Sequence, residues 1–452
     1  MSLTFIHLAD IHFQVRKAVY DLDRDLRNEL ERDAREMLKT LPVPVSILIG
    51  GDVAFKGVPE EYDTAWEWLS GRLCPMLGTP TENIRCVPGN HDVNRTTIEH
   101  SRSMRDCYKR LREIHVNQIH DELVDYLQEP RVFYEKLAAY NRFAVKFDCD
   151  LSISRPYWES DYRLDDVTTL RVRGLNSTLI SSQDDDDGAN KLVVGEYQGV
   201  LQREDNVEYM VLCHHPPQWL RDQDRIQDAL DSRSRIQLYG HKHVQKLTPI
   251  GDKCLRMSAG AVHPDRREPD WKPRYNWLQI AANEDASRSL EVTVYPRIWD
   301  NDKFTADYHA CEGKDRVVQL IPLGPSVNRG PARVQVVQPG ECEVRMNEPS
   351  PKDDPLAPQK PISSDAPNDP AWTLAHRYLS LSYVYRMAIA QGLKLIEDAD
   401  EGLPQNEISR RVFRRARERS LLAELWDQVE RQGAWTPEIN PFRPSQTTEE
   451  HE

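Results

Sequence analysis

Long apolar runs are absent from the sequence. No stretch approaches the roughly 18 apolar residues that a membrane-spanning helix requires, and the mean hydropathy is -0.67. The first ten residues, MSLTFIHLAD, also lack the basic region, the long apolar segment and the cleavage site of a secretory signal peptide. The sequence argues against an integral membrane protein, and we expect a cytoplasmic protein that does not bind membranes.

Paired cysteines and an excess of basic residues are also missing. The eight cysteines are scattered singly, with no C-x-x-C pair, so we predict free thiols and neither a disulfide framework nor a thiolate metal site. The formal net charge is -14. This acidity argues against a surface that binds nucleic acid indiscriminately, although a local basic groove remains compatible with it.

Five short apolar segments are present, and each ends abruptly in Gly, Asp, Asn or His. Runs of this kind predict buried strands that place polar residues at their C-terminal ends, where open α/β sheets carry their sites. The segments are Leu3 to Asp10, Val45 to Asp52, Ile84 to Asp92, Tyr209 to Pro217 and Ile236 to His243.

The remaining patterns predict an α/β sandwich of two sheets, in the layer order α/β/β/α. Helical spacing over Val19 to Lys39 and Glu60 to Leu73 makes strands and helices alternate early in the chain. Three later segments predict strands joined by short loops, so a second sheet should contribute antiparallel pairs. These segments are Thr169 to Asn176, Tyr275 to Ala281 and Ser289 to Tyr295.

At 452 residues the chain is too long for one ordinary core. We predict a catalytic domain over residues 1–320, with a helical insertion at about 95–165 that forms either a cap beside the site or a purely structural hairpin. Residues 321–371 hold 11 of the 30 prolines and predict a linker. A small all-α module over 372–435 and a disordered tail over 436–452 complete the expected organisation.

An ordered set of polar motifs follows the predicted strands. The motifs are D-x-H at 10–12, G-D-x-x-x-x-G at 51–57, G-N-H-D at 89–92, H-x-P at 214–216 and G-H-x-H at 240–243. A lone Asp or His at a strand end is usually a turn residue, but the ordered set resembles the signature of calcineurin-like metallophosphoesterases over about residues 1–315. In motif style it is most similar to the class III cyclic-nucleotide and glycerophosphodiester phosphodiesterases.

The resemblance implies a centre of two divalent metal ions that hydrolyses phosphodiesters by attack of a hydroxide bridging the ions. Asp52 would bridge the two ions. Imidazole, carboxylate and amide ligands without thiolate suit Mn, Fe, Zn or Ni, with Mn favoured. The resemblance assigns Asp10, His12, Asp52 and His243 to one ion, and Asp52, Asn90, His214 and His241 to the other.

Other polar residues near the motifs receive different roles. His91 corresponds to the family's histidine that meets the phosphate, as a general acid or transition-state donor, and Asp92 would steady His91 or its turn. His215 is interpreted as a neighbour of the ligand His214. His7 is predicted to be a satisfied core histidine, and His263 is left unassigned.

The substrate is not determined by these motifs. A cyclic nucleotide, a nucleic acid or a small diester would each suit the chemistry. Two alternatives stay open. The first is a nuclease of the same superfamily, and the second is a catalytically idle scaffold that docks partners through its C-terminal helices.

Helical periodicity predicts two C-terminal helices, Trp372 to Ile396 and Gln405 to Gln432, and the last helix carries an apolar stripe and an arginine cluster. They are similar to the small helical adaptor domains attached to bacterial conflict-system effectors, which implies a protein partner or self-association. A terminal hairpin folded onto residues 1–315 is the alternative. The stripe is Ile408, Val412, Ala416, Leu422, Leu425, Trp426 and Val429, and the arginines are Arg410, Arg411, Arg414, Arg415, Arg417 and Arg419.

Overall fold

A computed structural model gives the fold of the chain. It describes residues 2–15, 23–127, 131–183, 190–264, 266, 271–283 and 288–324, and in the C-terminal part residues 373–374, 377–378, 381, 383–397, 400, 405–432 and 440–443. The chain divides into two compact units, Met1–Val327 and Asn328–Glu452. Residues 325–371 of the predicted linker, most of the predicted tail, and the acidic run at 184–187 lie outside the described residues, so the predicted domain boundaries stay predictions.

Two mixed sheets form the first unit, and the predicted sandwich architecture is confirmed. The first sheet has the order β12-β11-β10-β1-β2-β3, with β13 paired to β11. Strands β1, β2 and β3 are parallel, whereas β10 to β13 pair antiparallel. Its strands are β1 (Ser2–Leu8), β2 (Ser46–Ile49), β3 (Ile84–Cys86), β10 (Arg274–Asn283), β11 (Ser289–Asp300), β12 (Lys303–Ala306) and β13 (Val317–Pro322).

The second sheet has the order β4-β5-β6-β7-β9-β8. Strands β5, β6, β7 and β9 are parallel, and β4 and β8 close the two edges antiparallel. Its strands are β4 (Trp158–Arg163), β5 (Thr169–Gly174), β6 (Val207–Cys213), β7 (Ser234–Tyr239), β8 (Lys246–Ile250) and β9 (Cys254–Ser258).

The two sheets are joined by buried aromatic contacts. The ring of Phe5 on β1 meets Tyr162 on β4 at a centroid distance of 5.2 Å, and Trp158 on β4 donates its indole N–H to the carbonyl of Cys86 on β3, at 2.7 Å. Such contacts fix the sheets at one distance. The C-terminal ends of β1, β2 and β3 are thereby held near those of β6 and β7.

Helices cover this core, and the helical insertion is confirmed. Leu111, Phe133 and Phe143 of the insertion are buried in the same apolar cluster as the strands, so the insertion is an integral part of the unit. The helices are α1 (Arg24–Met37), α2 (Pro59–Trp68), α3 (Cys74–Leu77), α4 (Arg95–His100), α5 (Arg102–Glu113), α6 (Ile119–Tyr126), α7 (Arg131–Tyr134), α8 (Ala138–Ala144), α9 (Glu196–Gly199) and α10 (Gln223–Arg233).

The second unit contains three described helices, at Tyr383–Gly392, Gln405–Glu418 and Leu422–Gln432. The prediction of one continuous last helix is wrong. Ser420 takes a left-handed φ of 56°, and the amide of Leu421 bonds back to the carbonyl of Ala416 at 2.7 Å. Because a left-handed residue ends a helix in this way, the segment splits in two.

The apolar stripe is buried within the module. Val412, Trp426 and Val429 pack in one cluster with Leu374 and Tyr378, all from the second unit. Part of the arginine cluster is also internal, since Arg415 makes ion pairs with Asp400 and Glu397.

Two expectations concern the whole described chain. The seven described cysteines are free and buried, as predicted. No helix in the described ranges is both long and apolar enough to cross a bilayer.

Candidate metal centre

Left-handed backbone marks the predicted ligand positions. Twelve described non-glycine residues have a positive φ, and five of them belong to the predicted ligand set. This conformation is uncommon for residues with a side chain and persists only where the surroundings hold it. The five are Asp10 (φ 53°), His12 (51°), Asp52 (53°), His241 (69°) and His243 (53°).

Backbone hydrogen bonds hold these turns at the ends of β1 and β2. The amide of Asp10 donates to the Gly51 carbonyl at 3.0 Å, and the amide of His12 donates to the Asp52 carbonyl at 2.9 Å. The two strand ends are therefore tied to each other just beyond the sheet, where their side chains meet.

Asp52 occupies the middle of the site. Its Oδ2 lies 3.2 Å from His12 Nε2 and 3.3 Å from His214 Nε2. Its Oδ1 accepts the backbone N–H of His91 at 2.8 Å. Burial by itself would raise the pKa of Asp52, but the charges of His214 and His91 and the bonds from the flanking imidazoles hold that pKa well below its usual value.

On one side of Asp52, Asp10 and two histidines converge. Oδ1 of Asp10 lies 3.4 Å from His243 Nε2, and ligand atoms of Asp10, His12 and His243 all lie within 4.8 Å of one another. The Asp10 carboxylate also accepts the backbone N–H of His241, at 3.2 Å to Oδ2. The first predicted ligand group is thus brought together.

On the other side, Asn90 is surrounded by imidazoles. Its Oδ1 lies 3.2 Å from His214 Nε2, 3.1 Å from His241 Nδ1 and 3.2 Å from His215 Nε2. The second predicted ligand group is therefore also assembled, with His215 as an additional member.

The spacing of these atoms suits divalent ions. Two ligands at about 2.1 Å from one ion, seen from it at 90 to 109°, lie about 3.0 to 3.4 Å apart. The pairs around Asp52, Asp10 and Asn90 are 3.1 to 3.4 Å apart. Nitrogen and oxygen donors without thiolate match metals such as Mn, Fe, Zn and Ni. The residues present thus fit the metal ions that the family resemblance implies.

His91 is held by its own turn and by Phe55. Its Nδ1 lies 2.9 Å from the Phe55 carbonyl oxygen, and because a carbonyl only accepts, Nδ1 carries the hydrogen. The His91 and Phe55 rings stack at 5.0 Å with 24° between their planes. Burial lowers the pKa of His91, and the charge of Asp52 opposes that shift. Ligand atoms of His91, His12 and Asp52 also lie within 4.8 Å of one another.

Asp92 ties the GNHD turn to the G-D-x-x-x-x-G turn. Its carboxylate accepts the amide of Gly89 at 2.9 Å, the amide of Ala54 at 2.9 Å and the hydroxyl of Tyr62 at 2.8 Å. Burial, followed by the charge of Asp52, raises the pKa of Asp92 to about 6. Asp92 thus steadies the turn, one of the two roles predicted for it.

Two further features support these turns. A Cβ on Gly89 would stand 2.1 Å from Asp52 Oδ1, so no larger residue fits there without displacing Asp52. The buried Glu61 accepts the amides of Phe55 at 3.1 Å and Lys56 at 2.8 Å. Glu61 therefore supports the backbone of the G-D-x-x-x-x-G turn, whose residues Val53, Ala54 and Phe55 have apolar side chains.

Ser177 was missed as a site residue, and His215 was predicted only as a neighbour of His214. Ser177 Oγ lies 2.8 Å from His215 Nδ1, which directs Nε2 of the imidazole towards Asn90. The adjacent histidines of the HHPP stretch were the available signal for His215. Ser177 follows β5 without any motif, so only the fold reveals it.

His7 differs from the prediction. It is fully buried, as expected, but neither ring nitrogen has a hydrogen-bond partner among the described residues. Burial, opposed by the charge of Asp10, lowers its pKa to about 4. His7 lies on β1 opposite Asn276 of β10. The side-chain amide of Asn276 also lacks a hydrogen-bond partner among the described residues.

Comparisons with known proteins identify the family of the chain. The calcineurin-like phosphoesterase family matches residues 3–245, more than half of the chain. The chain therefore belongs to the calcineurin-like phosphoesterases, a class of hydrolases. The GTPase-associated adaptor domain matches residues 372–431, which confirms the predicted resemblance to an adaptor module.

Individual relatives are distant. The chain is 30% identical over 95 residues to the metallophosphoesterase-like protein YydB of Bacillus subtilis (strain 168), a match that covers 21% of this chain and only 18% of that protein's length. A dimetal phosphatase from Danio rerio is 11% identical, with a TM-score of 0.36 over 67% of this chain and 98% of the phosphatase. A 5'-nucleotidase from Candida albicans is 10% identical, with a TM-score of 0.31 over 64% of this chain and 51% of the nucleotidase.

Proposed function

We propose that this protein is a two-metal phosphodiesterase. The observation that carries the proposal is the position of Asp52, whose Oδ2 lies 3.2 Å from His12 on one side and 3.3 Å from His214 on the other. A carboxylate shared by two ligand groups is the arrangement that a bridged pair of ions requires.

The remaining ligands divide between the two sides of Asp52. Asp10, His12 and His243 would hold one ion with it, and Asn90, His214 and His241 would hold the other. Two divalent ions in these positions would neutralise charge on the phosphoryl oxygens and acidify a water molecule. Mn is the metal that we propose first for this set of nitrogen and oxygen donors.

His91 is the proposed catalytic residue of the chain itself. Its ring is fixed by the Phe55 carbonyl at Nδ1, so a proton that it passes to the leaving oxygen must be carried on Nε2. An anionic phosphodiester close to the ring would favour the protonated imidazole and so oppose the effect of burial on its pKa. This role makes His91 a general acid.

A second proposal concerns the C-terminal module, and it is supported by the match of residues 372–431 to the GTPase-associated adaptor domain. We infer that the module docks the phosphoesterase onto a partner that contains a GTPase. The apolar stripe is not the docking surface, because Val412, Trp426 and Val429 are buried in the module's own core.

The direct test of the main proposal is a substrate panel with added Mn. The panel contains a bis-aryl phosphate, cyclic nucleotides, single- and double-stranded DNA, and a phosphopeptide. Metal-dependent turnover of at least one diester is expected. A protein that binds two ions and hydrolyses none of these substrates would instead support the scaffold alternative.

A further inference from the structure

A groove of about 410 Å³ lies on the helical insertion, beside α4 and α5. Most of the charged side chains that line it are cationic, in a protein whose net charge is -14. The four cationic side chains are Arg95, Arg105, Lys109 and Arg112, and the two acidic ones are Glu99 and Glu113. The aspartates at 184–187, which follow Gln183 of the groove lining in the sequence, lie outside the described residues.

The groove is connected to the metal centre along the chain. Arg95 opens α4 only four residues after His91, and four residues span at most about 14 Å. One end of the groove therefore lies within about 14 Å of the residue that is proposed to meet the scissile phosphate.

A second connection runs through the loop after β5. Ser177 in this loop contacts His215 at 2.8 Å. A few residues later, Arg112 donates to the Ile180 carbonyl at 2.7 Å and to Ser182 Oγ at 2.9 Å. The same loop therefore reaches both the metal centre and the wall of the groove.

The cationic side chains differ in how firmly they are held. Arg112 is anchored by the loop bonds, and the exposed Arg105 donates to the carbonyls of Ile98 and Glu99 at the end of α4. Nζ of Lys109 lies 4.0 Å from Glu113, and such exposed pairs contribute little energy. Lys109 can thus turn towards an anionic ligand at small cost, whereas Arg105 keeps N–H donors beyond the two bonds that its Nη1 makes.

Apolar surface completes the groove. Ile98 and Tyr108 line it, and both are buried residues of the insertion. A cavity of this size with an apolar wall and a few charged groups is typical of small-molecule and nucleotide sites. Guanidinium groups beside such a wall suit phosphate groups in particular.

We propose that this groove binds a second phosphate of the substrate, next to the one that is hydrolysed. The inference rests on the proposed phosphodiesterase function and refines it. The preferred substrate is then a linear nucleotide diester with a neighbouring phosphate, because a cyclic mononucleotide has only one phosphate and leaves the groove empty.

The test uses a pair of linear dinucleotides that differ only in a 5'-phosphate, with a bis-aryl phosphate as the single-phosphate reference. In the double variant Arg105→Glu/Lys109→Glu, the KM for the phosphorylated dinucleotide should rise about tenfold or more, and its salt dependence should weaken. Turnover of the other two substrates should stay unchanged. Arg102→Glu is the matched control, because Arg102 is an exposed arginine of the same helix outside the groove.

Equal effects on both dinucleotides, or no effect on either, would overturn the proposal. Lys109→Glu alone should show a smaller rise in the same direction and guards against misfolding of the double variant. A binding measurement with thymidine 3',5'-bisphosphate against thymidine 5'-monophosphate needs no turnover. Preferential binding of the bisphosphate that Arg105→Glu/Lys109→Glu removes would support the groove even if the protein hydrolysed no diester, whereas equal binding of the two nucleotides would refute it.

Discussion

Nδ1 of His91 lies 2.9 Å from the carbonyl oxygen of Phe55, and the two rings stack at 5.0 Å. The imidazole ring is thus oriented by Phe55, a residue of the neighbouring turn that is not among the proposed metal ligands. This separation between positioning the proton donor and holding the ions allows the two roles to be tested by different substitutions.

His91→Ala should leave the metal content unchanged and lower kcat by about a hundredfold or more, the usual scale for a lost acid or oxyanion donor. Metal analysis and steady-state kinetics on a bis-aryl phosphate check this. His100→Ala is the control, since His100 is an exposed histidine on α4. Full activity of His91→Ala would remove the role.

Asp52→Asn should lower both metal content and turnover, because the amide brings no charge to a position shared by two ligand groups. Asp63→Asn, at an exposed position on α2, should change neither. Metal analysis after dialysis is the measurement. If Asp52→Asn retained two ions and normal turnover, the bridging assignment would be wrong.

His215→Ala should weaken binding of the ion on the Asn90 side. The imidazole lies 3.2 Å from Asn90 Oδ1 and is oriented by Ser177, and loss of such a supporting group typically costs about 10- to 100-fold in metal affinity. A metal titration of the variant checks this. Ser177→Ala should show a weaker effect of the same kind. Unchanged affinity in both variants would show that His215 is only a neighbour.

Features that depend on neighbouring residues could be predicted from the sequence, whereas contacts between distant residues could not. Strands that end in polar motifs were predicted correctly because the apolar run and the abrupt turn are both local signals. The partnership of Ser177 with His215 could not be predicted, since it joins residues 38 positions apart without a motif. The unpartnered nitrogens of His7 depend on its register opposite Asn276, which no local pattern reveals.

His7 should make stability fall with decreasing pH. Its folded pKa is about 4 against an ordinary 6.5, so between these pH values the unfolded chain binds a proton that the folded protein does not. Stability is therefore full above about pH 6.5 and is lost as pH falls towards 4. The difference of about 2.5 pH units corresponds to roughly 3 kcal/mol in the free energy of unfolding.

His7→Leu tests this. The variant should be about as stable as the parent at pH 7.5, because an apolar side chain replaces an unpartnered polar one, and its stability should fall less between pH 7 and 5. Urea denaturation at several pH values is the measurement. A pH dependence identical to that of the parent would show that His7 is not the group responsible.

The C-terminal module should be separable from catalysis. Its helices pack around Val412, Trp426 and Val429 with residues of the same unit, so truncation after Gly324 should leave metal content and turnover of a bis-aryl phosphate within about twofold of the full chain. Capture of a GTPase-containing partner, or self-association seen by light scattering, should be lost.

Trp426→Ala in the full chain is the companion variant. It removes a large side chain that is only 2% exposed, a change that typically costs about 3 to 5 kcal/mol, and it should unfold the module without lowering turnover. Collapse of both solubility and activity on truncation would show instead that the helices belong to the catalytic core, and the docking proposal would have to be abandoned.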